Sequence, residues 1–250
     1  MKKTTWFLAW VLMFVGGASV AQAQTSAWQD TWYGSISAGV QQSRSFDAVS
    51  TPEIYNEPAS VTVPHEGGAS FLFDVAGGRR VWRNLAVGVA YSRSSNSETP
   101  TLSAEVPNPV AFGEPRNATS GSGKFSHTES VVHFQFLWMM RSSRKIQLAV
   151  VAGPSLFSVG QDVVTGLNLT EGEQPFATVT IASVETAKAS KWATGFAAGV
   201  DGTYLMTPRM GAGVFIRYSA ASANLAAPGG GTVSAKAGGF QVGGGLRVRF

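Results

Sequence analysis

The chain has 250 residues, no cysteine and a formal net charge of only +4. Glycine is abundant, at 29 residues, while charged residues make up just 14%. This excludes a disulfide scaffold, and so weak a charge excess argues against a surface built for nucleic acid or for an acidic substrate.

The chain opens with Lys2 and Lys3, followed by the uncharged run "WFLAWVLMFV" from Trp6 to Val15 and small residues up to "AQA" at Ala21 to Ala23. That three-part layout predicts a secretory signal peptide over residues 1–23, cleaved after Ala23. The apolar run is far shorter than the roughly 20 residues a spanning helix needs, which disfavours an uncleaved anchor. Cleavage removes both lysines and leaves a net charge of +2. A short segment, 24–30, then leads into one expected domain over 31–250.

Eight segments of that domain alternate with period two, the signature of strands. In "TWYGSISAGVQQ", Trp32, Ile36, Ala38 and Val40 oppose Ser35, Ser37 and Gln41. "ASFLFDV" sets Phe71, Phe73 and Val75 against Ser70 and Asp74. "LAVGVAYS" sets Leu85, Val87, Val89 and Tyr91 against small residues. In "HTESVVHFQFLW", Val132, Phe134, Phe136 and Trp138 oppose Glu129, His133 and Gln135. "IQLAVVAGPSL" places Ile146, Leu148, Val150 and Leu156 opposite Gln147, Ala149, Gly153 and Ser155. "KWATGFAAGVDGTY" places Trp192, Phe196, Val200 and Tyr204 opposite Gly195, Gly199 and Asp201. "MGAGVFIRYS" places Met210, Val214, Ile216 and Tyr218 opposite Gly211, Gly213 and Arg217. Finally, "GGFQVGGGLRVRF" sets Phe240, Val242, Leu246, Val248 and Phe250 against Gln241, Arg247 and Arg249.

Eight alternating strands suit either a soluble sandwich, with its apolar face inward, or a transmembrane barrel, with that face toward lipid. Three features favour the barrel. The second face is mostly Gly, Ala and Ser, which fits the cramped inside of a narrow barrel rather than a solvated sheet. Short connections at Trp82–Leu85, Met139–Lys145 and Leu205–Met210 alternate with long polar ones such as Phe46–Gly67 and Asn96–Lys124. Aromatics fall at two levels: Trp32, Trp82, Trp138, Tyr204 and Phe250 toward the short turns, and Tyr91, Trp192 and Tyr218 toward the other rim, as two interfacial girdles require. Arg83, Arg141, Arg144, Lys145 and Arg209 fall in the short turns, near headgroups. Gly77 and Gly78 are candidates for a bulge that would flip the phase of the second strand near Trp82.

The leader, the eight strands, the hairpin "GFAAGVDGTYLMTPRMGAGVFIRYS" and the terminal "LRVRF" resemble the small bacterial outer-membrane β-barrel family of the OmpA transmembrane-domain and OmpX type. The resemblance is one of pattern and covers roughly residues 32–250. It implies an eight-stranded antiparallel up-and-down transmembrane β-barrel with short periplasmic turns and long extracellular loops, located in the outer membrane. It also implies that Phe250, Val248 and Leu246 form the signal read by the barrel-assembly machinery, with periplasmic chaperones as further biogenesis partners and outer-membrane lipid as the solvent. Closure by pairing the last strand with the first follows physically, because an unpaired edge in lipid leaves backbone groups unsatisfied. A monomer is expected. So is the absence of the peptidoglycan-binding domain that longer relatives carry, which leaves wall tethering unsupported.

An eight-stranded barrel is filled by its own side chains. Asp74, Glu129, His133, Gln135, Gln147, Asp201 and Arg217 carry interior parity, and Arg217 is expected to pair with one or more of the acids, since an isolated buried charge is costly. The expected role is structural and surface-interacting, through the long loops, with no enzyme activity, cofactor or metal. The alternatives are a narrow channel for small or hydrophobic solutes and, behind it, a lipid-acting enzyme. His127, Glu129 and His133 share a face, but His127 and His133 would lie about 20 Å apart along a strand, too far to share an ion. His65 is expected to be solvated in the first loop and the Pro-, Asn- and Ser-rich second loop to be mobile. Alternation persists from Gly160 to Ala187, so strands five and six are expected to continue as a projecting hairpin turning near Glu171 to Glu173, whose edge offers a site for strand addition by an extracellular partner.

Overall fold

The computed structural model describes residues 31–120, 123–143, 145–226 and 232–250. The expected signal peptide and the segment 24–30 lie outside the described residues. All regular structure among the described residues is strand: β1 (Trp32–Ser43), β2 (Phe46–Ser50), β3 (Glu53–Ile54), β4 (Glu57–Pro58), β5 (Ser60–His65), β6 (Ala69–Trp82), β7 (Leu85–Glu98), β8 (Leu102–Val106), β9 (Arg116–Ser120), β10 (Phe125–Ser142), β11 (Ile146–Glu171), β12 (Val179–Leu205), β13 (Met210–Ala226) and β14 (Thr232–Arg249). Eight of them close an antiparallel barrel in the order β1-β14-β13-β12-β11-β10-β7-β6.

The seam is made by the two ends of the domain. β1 pairs with β14 from Tyr33↔Arg249 to Ser43↔Gly239. Phe250 extends the closure, accepting from the Trp32 amide at 2.7 Å and donating to the Trp32 carbonyl at 3.0 Å. No barrel edge is left open there, as a lipid environment demands.

The apolar parity of the strands faces outward. Ile36, Phe71, Phe134, Phe196, Ile216 and Leu246 are all exposed on the barrel wall. The inward parity is small or polar: Ser37, Ser92, Ser155, Ser219 and Gln241 are buried. Above one level this assignment inverts. On β11, Leu156 points out, but Phe157, Val159 and Val163 point in and are buried. On β13, Tyr218 points out, while Ala221, Ala223 and Leu225 are buried; on β14, Phe240 points out, while Val233, Ala235 and Ala237 are buried. An outer wall that is apolar below and polar above this level marks where the surrounding solvent changes from hydrocarbon to water.

The buried residues above that level meet a second layer. The first two loops fold into a four-stranded sheet of order β2-β5-β8-β9. Phe46, Val61, Val63, Leu102, Ala104 and Val106 from this sheet pack on Phe125, Phe157, Val159, Leu225 and Val233 from the barrel strands. The second loop, expected to be mobile, contributes two strands of this sheet, β8 and β9. "LSAEV" and "RNATS" alternate, and burying their apolar residues on one face offsets the entropy of ordering them.

β11 and β12 extend well beyond the barrel and turn between Glu171 and Val179, at the place expected for the projecting hairpin. The phase shift in β6 falls between Arg80 and Trp82, not at Gly77 and Gly78, where the pairing is regular.

Candidate functional site

A connected chain of polar side chains crosses the lumen. Arg217 on β13 donates through Nη2 to Asp74 Oδ2 on β6 at 2.6 Å, and through Nε to Gln241 Oε1 on β14 at 2.6 Å. Gln241 Nε2 donates to Gln41 Oε1 on β1 at 2.7 Å, and Gln41 Nε2 donates to Glu129 Oε2 on β10 at 2.9 Å. The chain ends where Glu129 Oε1 lies 2.8 Å from His127 Nε2. Five strands are thus tied across the lumen. Asp74 and Arg217 are each 6% exposed, so their charges answer one another and not water.

Glu129 has a second source of support in the backbone. The Gly238 amide donates to both of its oxygens, at 3.1 and 3.0 Å. That amide points into the lumen because Gly238 adopts φ +83° and the next residue, Gly239, adopts φ +150°. A Cβ at position 238 would run into the Ser219 carbonyl, so the conformation and the space both require glycine.

His133 stands apart from this chain. Its Nε2 lies 2.9 Å from Ser92 Oγ and its Nδ1 2.7 Å from Ser155 Oγ, and its ring meets Phe157 edge-on. A hydroxyl either donates or accepts, so the two serines satisfy a neutral imidazole in either tautomer. Asp201 is also separate, held by Arg247 through Nη2 at 2.7 Å and Nε at 3.2 Å and by Thr203 at 3.1 Å. Arg247 donates further to Ser37 at 2.6 Å. Gln135 and Gln147 line a cavity of ≈ 100 Å³ at the short-turn end, together with Tyr33, Asp74, Asp201 and Arg217. Sequence reasoning missed Gln41, Gln241 and Arg247 as members of the interior set. Their signal was available, since all three carry interior parity.

Above the network sits the folded lid. His65 is not solvated: it is buried, stacks on Phe46 with ring centroids 4.8 Å apart, and lies 2.8 Å from Gln161 Nε2. Burial pushes its pKa down, while the Glu98 and Asp47 carboxylates pull it back up. The lid's outer end is fastened by Arg116 on β9, which grips both oxygens of Glu171 on β11 and donates to the carbonyls of Phe176 and Pro107, each at 2.8 Å. Tyr55 donates to Glu171 Oε1 at 2.8 Å. This clamp joins segments from the first three outer loops. The Arg116 guanidinium holds the Glu171 carboxyl below its ordinary range.

The aromatics expected at the rims all face outward and are exposed: Trp32, Trp82, Trp138 and Tyr204 at the short-turn end, and Tyr91, Trp192 and Tyr218 at the other. Among the described residues no three His, Asp or Glu side chains converge as a metal site would require.

No family model matches the chain, and no curated relative matches it. Solved structures do. The outer membrane protease OmpT from Escherichia coli is similar at TM-score 0.51 and 10% identity, over 91% of this chain and 99% of that one. OprG from Pseudomonas aeruginosa matches at TM-score 0.46 and 9% identity, over 89% of this chain and 97% of that one. Neisserial surface protein A matches at TM-score 0.40 and 14% identity, over 88% and 96%. The likeness is one of fold: this chain is an eight-stranded β-barrel of the outer-membrane type.

Proposed function

We propose that the chain is an integral outer-membrane protein whose lumen is a structural plug and whose folded lid is the surface offered to extracellular partners. The observation that carries this reading is the filling of the barrel at two successive levels. The Asp74–Arg217–Gln241–Gln41–Glu129 chain crosses the lower lumen, and an apolar core that includes Phe125, Phe157 and Val159 closes the upper one. The ≈ 100 Å³ cavity lies below both. Trp32, Trp82, Trp138 and Tyr204 form one interfacial girdle, and Tyr91, Trp192 and Tyr218 the other. Leu246, Val248 and Phe250 serve as the recognition strand for the assembly machinery, and the mature protein is a monomer.

A non-enzymatic role is supported by the place of the one His–carboxylate contact that sequence reasoning singled out. The neighbour OmpT is named as a protease, but here Glu129 is 1% exposed and sits with His127 beneath the lid, out of reach of a polymeric substrate. The test is conductance of the purified chain in a planar bilayer. A plug gives a silent membrane, with only brief openings. Steady ohmic conductance would replace this reading with that of a narrow channel.

A further inference from the structure

The charged side chains in the three short turns of the barrel are all basic. Four corners make up the short-turn end: the β14/β1 seam and the β6/β7, β10/β11 and β12/β13 turns. Arg79 lies beside the seam, opposite Trp32 across the β1–β6 pairing, and Arg83, Lys145 and Arg209 occupy the three turns. No Asp or Glu occurs in residues 75–85, 136–146, 202–212 or 242–250.

Three arginines of the lumen and the lid have carboxylate partners within the protein. Arg217 holds Asp74, Arg247 holds Asp201, and Arg116 holds Glu171. No such ion pair forms at Arg79, Arg83, Lys145 or Arg209 among the described residues. All four are exposed. Arg79 lies over the Trp32 ring, its guanidinium carbon 5.4 Å from the ring centroid. That contact holds the cation on the outward wall, at the level of the exposed Trp82 and Trp138.

Aromatic anchors place this rim at the headgroup level, and these four exposed cations stand there without an ion-pair partner among the described residues. We propose that this end of the barrel is a collar that binds the phosphates of anionic phospholipids and enriches them around the barrel over zwitterionic ones. The inference rests on the membrane reading above and adds to it a lipid class and four residues. Basic side chains near a membrane surface each contribute about fivefold in association with anionic lipid.

The experiment is competition between brominated phosphatidylglycerol and brominated phosphatidylcholine for quenching of the tryptophans. It uses the full mature chain folded into vesicles, in a Trp28→Phe, Trp192→Phe background, so that Trp32, Trp82 and Trp138 at the collar supply the signal. The expected result is several-fold preference for the anionic lipid, falling as salt is raised. The quadruple variant Arg79→Gln, Arg83→Gln, Lys145→Gln, Arg209→Gln should bring that preference to near unity while retaining the heat-dependent gel mobility of a folded barrel. Neutralising Arg93, Lys188 and Lys236 at the other rim should leave the preference intact. Equal quenching by the two lipids, or a preference that survives the quadruple variant, overturns the collar and leaves the membrane reading standing. Quenching by neither lipid removes both. Binding to isolated peptidoglycan that depends on these four cations, without lipid preference, assigns the collar to the cell wall and overturns the proposal.

Discussion

Replacing Asp74 with leucine removes the carboxylate that Arg217 Nη2 holds at 2.6 Å. Both side chains are only 6% exposed, so the stranded guanidinium cannot recover its hydration without opening the lumen. It cannot shed its proton either. Removing one partner of a buried pair costs about 3–5 kcal/mol. Gln241 at 2.6 Å and the Phe215 ring at 5.1 Å remain beside the cation and bring the expected loss to about 3 kcal/mol. Arg217→Met strands Asp74 and also takes the donor from Gln241 Oε1, so its expected cost is nearer 4–5 kcal/mol, by roughly 1 kcal/mol for the extra unmet acceptor. The double variant replaces the ion pair with two apolar chains, a change that is close to neutral, and keeps only the unmet Gln241 acceptor at about 1 kcal/mol. The double variant should therefore be more stable than either single one, by about 2 kcal/mol or more. Urea titration of the barrel in phospholipid vesicles, followed by tryptophan fluorescence, measures all three. Additive losses, or single variants within about 1 kcal/mol of the parent, would refute a buried pair as the centre of the plug.

Three further outcomes follow from the geometry. Gly238→Ala imposes a side chain on φ +83° and on the Ser219 carbonyl, and disturbs the amide that holds Glu129, so the urea midpoint should fall by the equivalent of about 1–3 kcal/mol. Glu171 is held below its ordinary pKa of 4.5 by Arg116, so the clamp's contribution is complete above that value and is lost as pH falls through the lower folded-state value. Amide-exchange protection of the 172–178 turn should accordingly hold steady from neutral pH to about pH 5 and drop below 4.5, and Arg116→Met should remove that dependence. Phe250→Ala keeps the backbone seam with Trp32 but loses the terminal ring, so the yield of folded barrel in cells should fall while refolding of the purified chain in detergent changes little.

Much of this architecture is legible in period-two alternation, because one residue of phase decides which solvent a strand side chain meets. The outward set from Ile36 to Phe250 could be read in that way, as could the interior parity of Asp74 and Arg217. That Arg217 holds Asp74 and not Glu129 or Asp201 could not be read. Pairing across a lumen depends on barrel stagger, and three acids shared the right parity. Glu129 found an amide instead, at a glycine whose positive φ leaves no mark in the alternation. His65 was misread for a related reason. In "SVTVPH" it falls on the same parity as Val61 and Val63, yet a histidine at the end of a polar loop reads as solvated unless the loop itself is recognised as a sheet.

The exchange of apolar character between the two parities along single strands explains why the barrel is packed in two different ways. Within the membrane, the outward face must be apolar, and an apolar lumen would leave both faces of every strand alike. Nothing would then specify which side meets lipid, and a shift of one residue would cost little. The small and polar inward set of Ser37, Ser155, Ser219 and Gln241 removes that ambiguity, and the resulting interior can hold charge only where ion pairs such as Asp74–Arg217 are complete. Above Leu156 and Tyr218 water lies outside the wall, the outer face can be polar, and the same strands are free to bury Phe157, Val159 and Leu225. Those residues need an apolar cover, and β2, β5 and β8 supply it with Phe46, Val61, Val63 and Leu102. The lid is thus what long barrel strands require once they leave the bilayer, and its chemistry follows from the change of solvent at one height on the wall.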